Sequence, residues 1–260
     1  MSAASRIPIG AGGKAVVVPV ALVVLAELAI RLTGFRSDSV TPPSEVVVAA
    51  IQALTDGSIA RATGETLASA FGGLALGGGV GFALGILLGS SAVLDRLLDF
   101  SIETIRPVPP IALMPIALMV FGFGARLEIA VVAFAAIWPI LILTRAAIAG
   151  IDPQLIEVAR ALRLGFGARV LKIVVPAILP RVFVALRLAA GISIIVAVTV
   201  EITVNPVGLG YTIMIAGQSL RPALMLALLV WIGLVGWAVN FLLLAAERSL
   251  FGFAQPRARP

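Results

Sequence analysis

An all-α polytopic membrane protein with six transmembrane helices is the fold class this sequence predicts, and three observations predict it. The 260-residue chain is 60% hydrophobic, with a mean hydropathy of +1.14, too apolar for a water-soluble domain. Apolar runs of about 20 residues, enough to cross a bilayer core of about 30 Å, alternate with short polar loops. The 19 Lys and Arg residues crowd into alternate loops, which is a topology signal and not the footprint of a nucleic-acid binder. Absence of Cys excludes disulfide and thiolate chemistry, and absence of His removes the commonest general base and metal ligand.

Residues Met1–Gly13 are small and polar and are expected to form a disordered cytoplasmic tail. The first span runs from Lys14 to Leu32 and reads as a retained helix, since no cleavage site follows it. Glu27 and Arg31 stand four apart near its outer end and can pair. Thr41-Pro42-Pro43-Ser44 stops any helix; Ser44 is then placed to cap Glu45–Leu54, an amphipathic segment suited to the outer membrane face. The second span, Thr63–Leu88, leads a glycine series at every fourth residue: Gly73, Gly77, Gly81, Gly85 and Gly89. Small residues at that spacing admit another helix backbone at close range. A phosphate cradle is not indicated, because no Lys-Ser/Thr follows and no strand precedes.

Ser90–Asp99 reads as a short cytoplasmic turn carrying Asp95, Arg96 and Asp99. Arg106-Pro107-Val108-Pro109-Pro110 then breaks the helix by removing amide donors. Broken backbone at membrane depth survives only where protein buries it or water lines it. The third span, Ile111 to Phe121, is short, and Phe121-Gly122-Phe123-Gly124 turns outside. The fourth, Glu128–Ile148, has Trp138-Pro139 near its middle, and the fifth, Arg181–Val204, carries Arg187 near its inner end and Glu201 near its outer end. After a Gly-Pro turn from Asn205 to Gly210, Tyr211–Arg221 reads as a re-entrant or surface piece, and Ala223–Ala246 is the sixth span. With both termini cytoplasmic, only Arg31, Arg36, Arg61, Arg126 and Arg221 fall in outer loops. Ionisable residues inside spans are costly and are functional candidates by default. The pathway candidates are Arg106, which can also pair with Glu103, Arg187, Glu201, and Trp138 as a cavity-lining ring.

Between the fourth and fifth spans lies the longest charged interval, Gly150–Pro180. Its first half reads as a short helix: Asp152 is a good N-cap and Pro153 suits the first helical position. Leu155, Ala159, Leu162 and Phe166 fall on one face, with Glu157, Arg160 and Arg163 on another. Glu157-Val158-Ala159, followed after the right interval by Ile173-Val174-Val175-Pro176, resembles the Glu-Ala-Ala loop of ABC importer permeases. Pro43-Ser44-Glu45-Val46, Arg106–Pro110, Phe121–Gly124 and Gly208-Leu209-Gly210 resemble the nitrate, sulfonate and taurine branch of that family. The motif's glycine position holds Arg163, and Gly165 lies two residues later.

The resemblance implies the type I ABC importer permease fold. It divides the chain into an N-terminal helix and periplasmic surface segment (1–60), a core five-helix permease domain with a cytoplasmic coupling helix at 152–165 (61–250), and a cytoplasmic tail (251–260). It implies a coupling surface of Leu155, Glu157, Ala159, Ala161, Leu162 and Gly165, with Pro176 stiffening the approach to the fifth span. The implied partners are two ABC ATPase subunits, a second copy of the permease, a periplasmic or lipid-anchored solute-binding protein, and membrane lipid. ATP and Mg would bind the ATPase, since this chain has no Walker motif, and no catalytic or metal site is expected here. The implied cargo is a small solute, anionic in the nitrate- or sulfonate-like case, carried across a bacterial inner membrane. A secondary transporter driven by an ion gradient is the alternative; it would want carboxylates near the bilayer midplane. A membrane-embedded enzyme would want a nucleophile with a base or a metal cluster.

Overall fold

The computed structural model describes residues 11–33 and 41–251, with backbone alone for 11–16 and 33. The expected N-terminal tail up to residue 10, Arg36, Arg257 and Arg259 lie outside the described residues. Among the described residues the regular structure is entirely helical. The described residues form two compact units, one from those up to 59 together with 213–231, the other from 60–212 together with 232–251.

In the first unit, α1 (Ala11–Thr33) and α2 (Pro43–Thr55) pack together. The expected Glu27–Arg31 pair forms at 2.5 Å. Ser44 does not cap α2, which begins at Pro43, two residues before the expected Glu45, with Pro42 at the cap position and no side-chain cap. Instead the Ser44 amide and hydroxyl donate to Glu27 at 3.0 and 2.8 Å, stitching α2 to α1. Proline pre-sets the helical φ at this start, so the hydroxyl is free for the longer-range bond. Past the end of α2, hydrogen bonds from Ser58 hold the Asp56 carboxyl below the usual carboxylate range.

The second unit is built on a glycine seam. α3 (Ser58–Ser90) lies against α6 (Ala125–Ala149) with all five glycines of the four-residue series on the contact. A Cβ on Gly73 would stand 2.5 Å from Val132, one on Gly81 2.5 Å from the Ile137 carbonyl, and one on Gly85 2.7 Å from Thr144. On Gly77 it would fall on the Ala133 backbone, and on Gly89 it would reach Ile148 at 2.8 Å. The spacing therefore did mark a packing face. α6 packs in turn along α9 (Val175–Thr203). Leu74, Ala136, Ile140, Ala185, Ala189 and Ala190 form one core cluster, and Ala70, Val132, Ile194, Ala197 and Val239 a second, the last from α11 (Pro222–Phe251).

The expected turn at Ser90–Asp99 is a correction. Ser91 caps a helix there, accepting from the Leu94 amide at 3.4 Å, and α4 runs from Ala92 to Ile105. Its charges are compatible with a helix because Asp95, Asp99 and Glu103, four residues apart, share one face. After the proline break a 3₁₀ turn (Pro110–Leu113) leads into α5 (Met114–Phe121), and the two arms meet at 84°. The third span is thus a bent pair and not one short crossing. Among the described residues, four helical runs are long and apolar enough to cross a membrane: α3, α6, Phe166–Thr203 and α11. The bent pair would make a fifth, and α1 stands outside that count.

The seam makes a pair of predictions. Gly77→Ala places a methyl on the Ala133 backbone, which cannot give way, and should cost about 1–3 kcal/mol. Gly79→Ala, which meets nothing within 4 Å, should be neutral or slightly stabilising. Thermal unfolding of the two variants in detergent micelles separates them.

Candidate functional site

The loop from α6 to α9 is a short helix on a rigid mount. α7 (Pro153–Ala161) begins as expected: Asp152 is its N-cap, accepting from the Gln154 amide at 2.9 Å, and Pro153 is first in the helix. It ends in a paired-turn cap. The Leu164 amide donates to the Ala159 carbonyl at 3.0 Å and the Arg163 amide to Arg160 at 2.9 Å. This cap needs a left-handed residue at its fifth position. Arg163 supplies it, with φ of 50°, at the place where the motif has glycine. Gly165 does not make the turn; it sits before α8 (Phe166–Arg169) at φ −63°.

A π-helical turn, Val170–Val174, follows α8, with Pro176 in the first turn of α9. α7 rests on that turn, and Val174 and Ile178 are buried with Ala147 of α6. Arg181 of α9 donates to the carbonyls of Ala147 and Gly150, 3.4 and 3.3 Å away, and so closes the loop at its base.

This mounting corrects one face assignment. Ala159 is 1% exposed and faces its own chain, because it is the cap's acceptor and the residue that seats α7. The outward apolar stripe is Leu155, Val158 and Leu162, all exposed, with Ala161 and Glu157 also exposed beside it. Positions i, i+3 and i+7 are the helical stripe; the sequence reading took i+4 in place of i+3.

The pathway candidates scatter. Arg106 ends α4 and lines a cavity of about 620 Å³. The cavity's other lining includes Asp95, Asp99, Glu103 and Arg145. Glu103 and Arg106 have no ion-pair partner among the described residues. Trp138 lies in α6, edge-on to Phe134 at 5.4 Å. Arg187 pairs with Glu247 at 2.9 Å, tying α9 to α11. Glu201 is wholly buried.

Around Glu201 the chain assembles a polar ring that the sequence reading missed. Thr66 of α3 donates to Glu201 Oε1 at 2.7 Å and the Gly210 amide to Oε2 at 2.8 Å. The Leu209 amide donates to Thr66 Oγ1 at 2.9 Å and the Gly208 amide to Glu65 at 3.1 Å. Gly208 has φ of 86°, and a Cβ on it would strike the Glu201 carboxylate. These donors open α10 (Gly208–Gln218), so the carboxylates hold a helix N-terminus. Beside them Asn205 receives the Gly124 amide at 2.8 Å and donates to Glu128, also wholly buried, at 2.8 Å. Asn205 read only as a turn residue and Glu128 only as the start of a span. The signal was present: two carboxylates in otherwise apolar runs demand partners, and Asn205 and Thr66 are among the few nearby side chains able to donate.

The family described as "Binding-protein-dependent transport system inner membrane component" matches residues 81–251, which hold α4 to α11 and the whole of the mounted loop. The chain belongs to that family. A Bacillus subtilis protein named for aliphatic sulfonates transport, the permease SsuC, is 34% identical over 68% of this chain and 64% of its own length. The nitrate import permease protein NrtB of Leptolyngbya laminosa is 34% identical over 69% of the chain and 62% of its own. The chain thus matches somewhat under two thirds of these relatives' lengths. Among solved structures, the inward-facing MetNI methionine ABC transporter superposes with a TM-score of 0.65 at 22% identity, covering 71% of this chain and 92% of that one. The shared fold is that of ABC transporter membrane components.

Two variants probe these family elements. Asn205→Ala removes one donor from the buried Glu128 carboxylate and the acceptor of the Gly124 amide and should destabilise by about 1–3 kcal/mol. Arg163→Gly removes the left-handed penalty and should stabilise by about 0.5–1 kcal/mol. Both are read as shifts in thermal unfolding.

Proposed function

We propose that this chain is the membrane-spanning permease subunit of an ATP-driven importer, and that α7 is the coupling helix gripped by a separate ATPase. The observation that carries the reading is the outward stripe of Leu155, Val158 and Leu162 on a helix fixed at both ends. An apolar stripe left in water on a fixed mount suits a partner's groove, because docking there costs little further ordering. Arg160, Arg163, Arg169 and Lys172 lie in the same loop and would also favour the cytoplasmic side.

On this reading the pathway forms between two copies of the chain, with two ATPase subunits inside. ATP and Mg bind those subunits, and this chain performs no catalysis. Six crossings of the inner membrane with both termini cytoplasmic would be made by α1, the bent α4–α5 pair and the four long spans. A periplasmic or lipid-anchored binding protein delivers a small anion of the nitrate or sulfonate kind, the cargo after which the relatives are named. Of the four pathway candidates, Arg106 is best placed to meet an anion, being uncommitted and on a cavity wall. Trp138 is a packing ring in α6, while Arg187 and Glu201 act as braces, each held by partners within the chain.

Leu155→Asp and Leu162→Asp should each weaken retention of the ATPase at least tenfold, about 1.4 kcal/mol, in a detergent pull-down from the native host, with the chain still inserted. Full retention in both variants would refute the docking assignment.

A further inference from the structure

α4 is a helix without a seat. None of its 14 residues is buried, and the cavity of about 620 Å³ separates it from the ends of α3 and α6. Its far end turns through 84° into α5. There Met114 and Ala117 are buried against Leu127, Val131 and Val200, so α5 is anchored, while α4 is an exposed arm tied by backbone at its two ends, to α3 through Ser91 and to α5 through the proline break.

One residue reaches across to the arm. Arg145 of α6 donates through Nη2 to Asp95 at 2.9 Å and to Asp99 at 2.7 Å, and its Nε stands 2.5 Å from the other Asp95 oxygen. Among the described residues, every side-chain hydrogen bond or ion pair from α4 to another helix goes to Arg145; Arg96 and Thr104 bond only within α4. A planar guanidinium suits this task, since its donors can reach two carboxylates one helical turn apart. Its own position is fixed, because the neighbouring Thr144 and Ala147 are buried. Four residues further on, α6 ends and the base closed by Arg181 begins.

We infer that Arg145 is the positioning residue that makes α4 follow the α6 end, so that displacement of the coupling loop reaches the broken span and the cavity wall carrying Arg106. The inference rests on the importer reading. Without the strut, the loop would move and the arm would not.

The test uses the assembled transporter with its ATPase in lipid nanodiscs. The chain has no Cys, so one introduced Cys carries one spin label. Phe100→Cys, on exposed α4, and Arg160→Cys, on the side of α7 away from the apolar stripe, each report the distance between the two copies before and after ATP with vanadate. Both distances are expected to shift when Arg145 is present. With Arg145→Gln the Arg160 shift persists and the Phe100 shift is lost; Arg145→Asp combined with Asp99→Arg restores it. Arg145→Lys, which holds one aspartate at a time, should show a partial loss and serves if Arg145→Gln does not assemble. A full Phe100 shift in whichever variant assembles overturns the inference. So does a still Phe100 label beside a moving Arg160 label when Arg145 is present. If neither label moves then, the importer reading falls and the inference with it.

Discussion

Close approach of α3 to α6 is the constraint on which the second unit depends. In lipid there is no hydrophobic gain from bringing two apolar helices together, so contact must come from van der Waals packing at short range. Five glycines on α3 make that range available, and the partner atoms they admit are largely backbone and Cβ atoms of α6. With α6 held on that side, its opposite face is free for the alanine-rich surface of α9, where Ala185, Ala189, Ala190 and Ala197 are buried. The same three helices carry Thr66, Glu128 and Glu201, so the carboxylates of the polar ring depend on the seam for their positions.

The two ends of this unit are stabilised differently. At the Asn205 end, hydrogen bonds are buried and mutually dependent, so breaking one exposes the others to a medium without water. At the α7 end, contacts are solvent-touched: Arg145 to its aspartates, Arg181 to two carbonyls, and a capped two-turn helix. Water can take the place of either partner in such a contact, so losing one costs less than losing a buried bond. Buried contacts and solvent-touched ones thus stand at opposite ends of one set of helices.

Much of this was legible in the sequence, where a single residue type has a single physical use. Glycine every fourth residue has few explanations besides close packing, and Asp152-Pro153 is a helix start by its own chemistry. The prolines after Arg106 announced a break. The spacing of Glu157, Ile173 and Pro176 carried the family. What failed did so because it depended on partners distant in the chain. Ser44 looked like a cap because Glu27, seventeen residues away, is invisible to local rules. Ala159 looked like a docking residue because amphipathicity does not say which of two apolar neighbours faces inward. Asp95 and Asp99 looked like loop charges because Arg145 is some fifty residues later. The Glu128–Asn205 bond joins positions 77 apart, and no periodicity encodes it.

The π-helical turn between Arg169 and Val175 carries one residue more than a regular helix would over the same stretch. Its influence extends along everything that follows, because an α-helix advances by about 100° for each residue. Were the segment shortened by a single position, it could close into ordinary helix, and α9 would be rotated by that angle against its neighbours. Its alanine surface would leave α6, and its glutamate would be carried out of phase with the threonine it accepts from. Loop length here is therefore a phase setting for a membrane helix, and the segment should tolerate substitution far better than insertion or deletion.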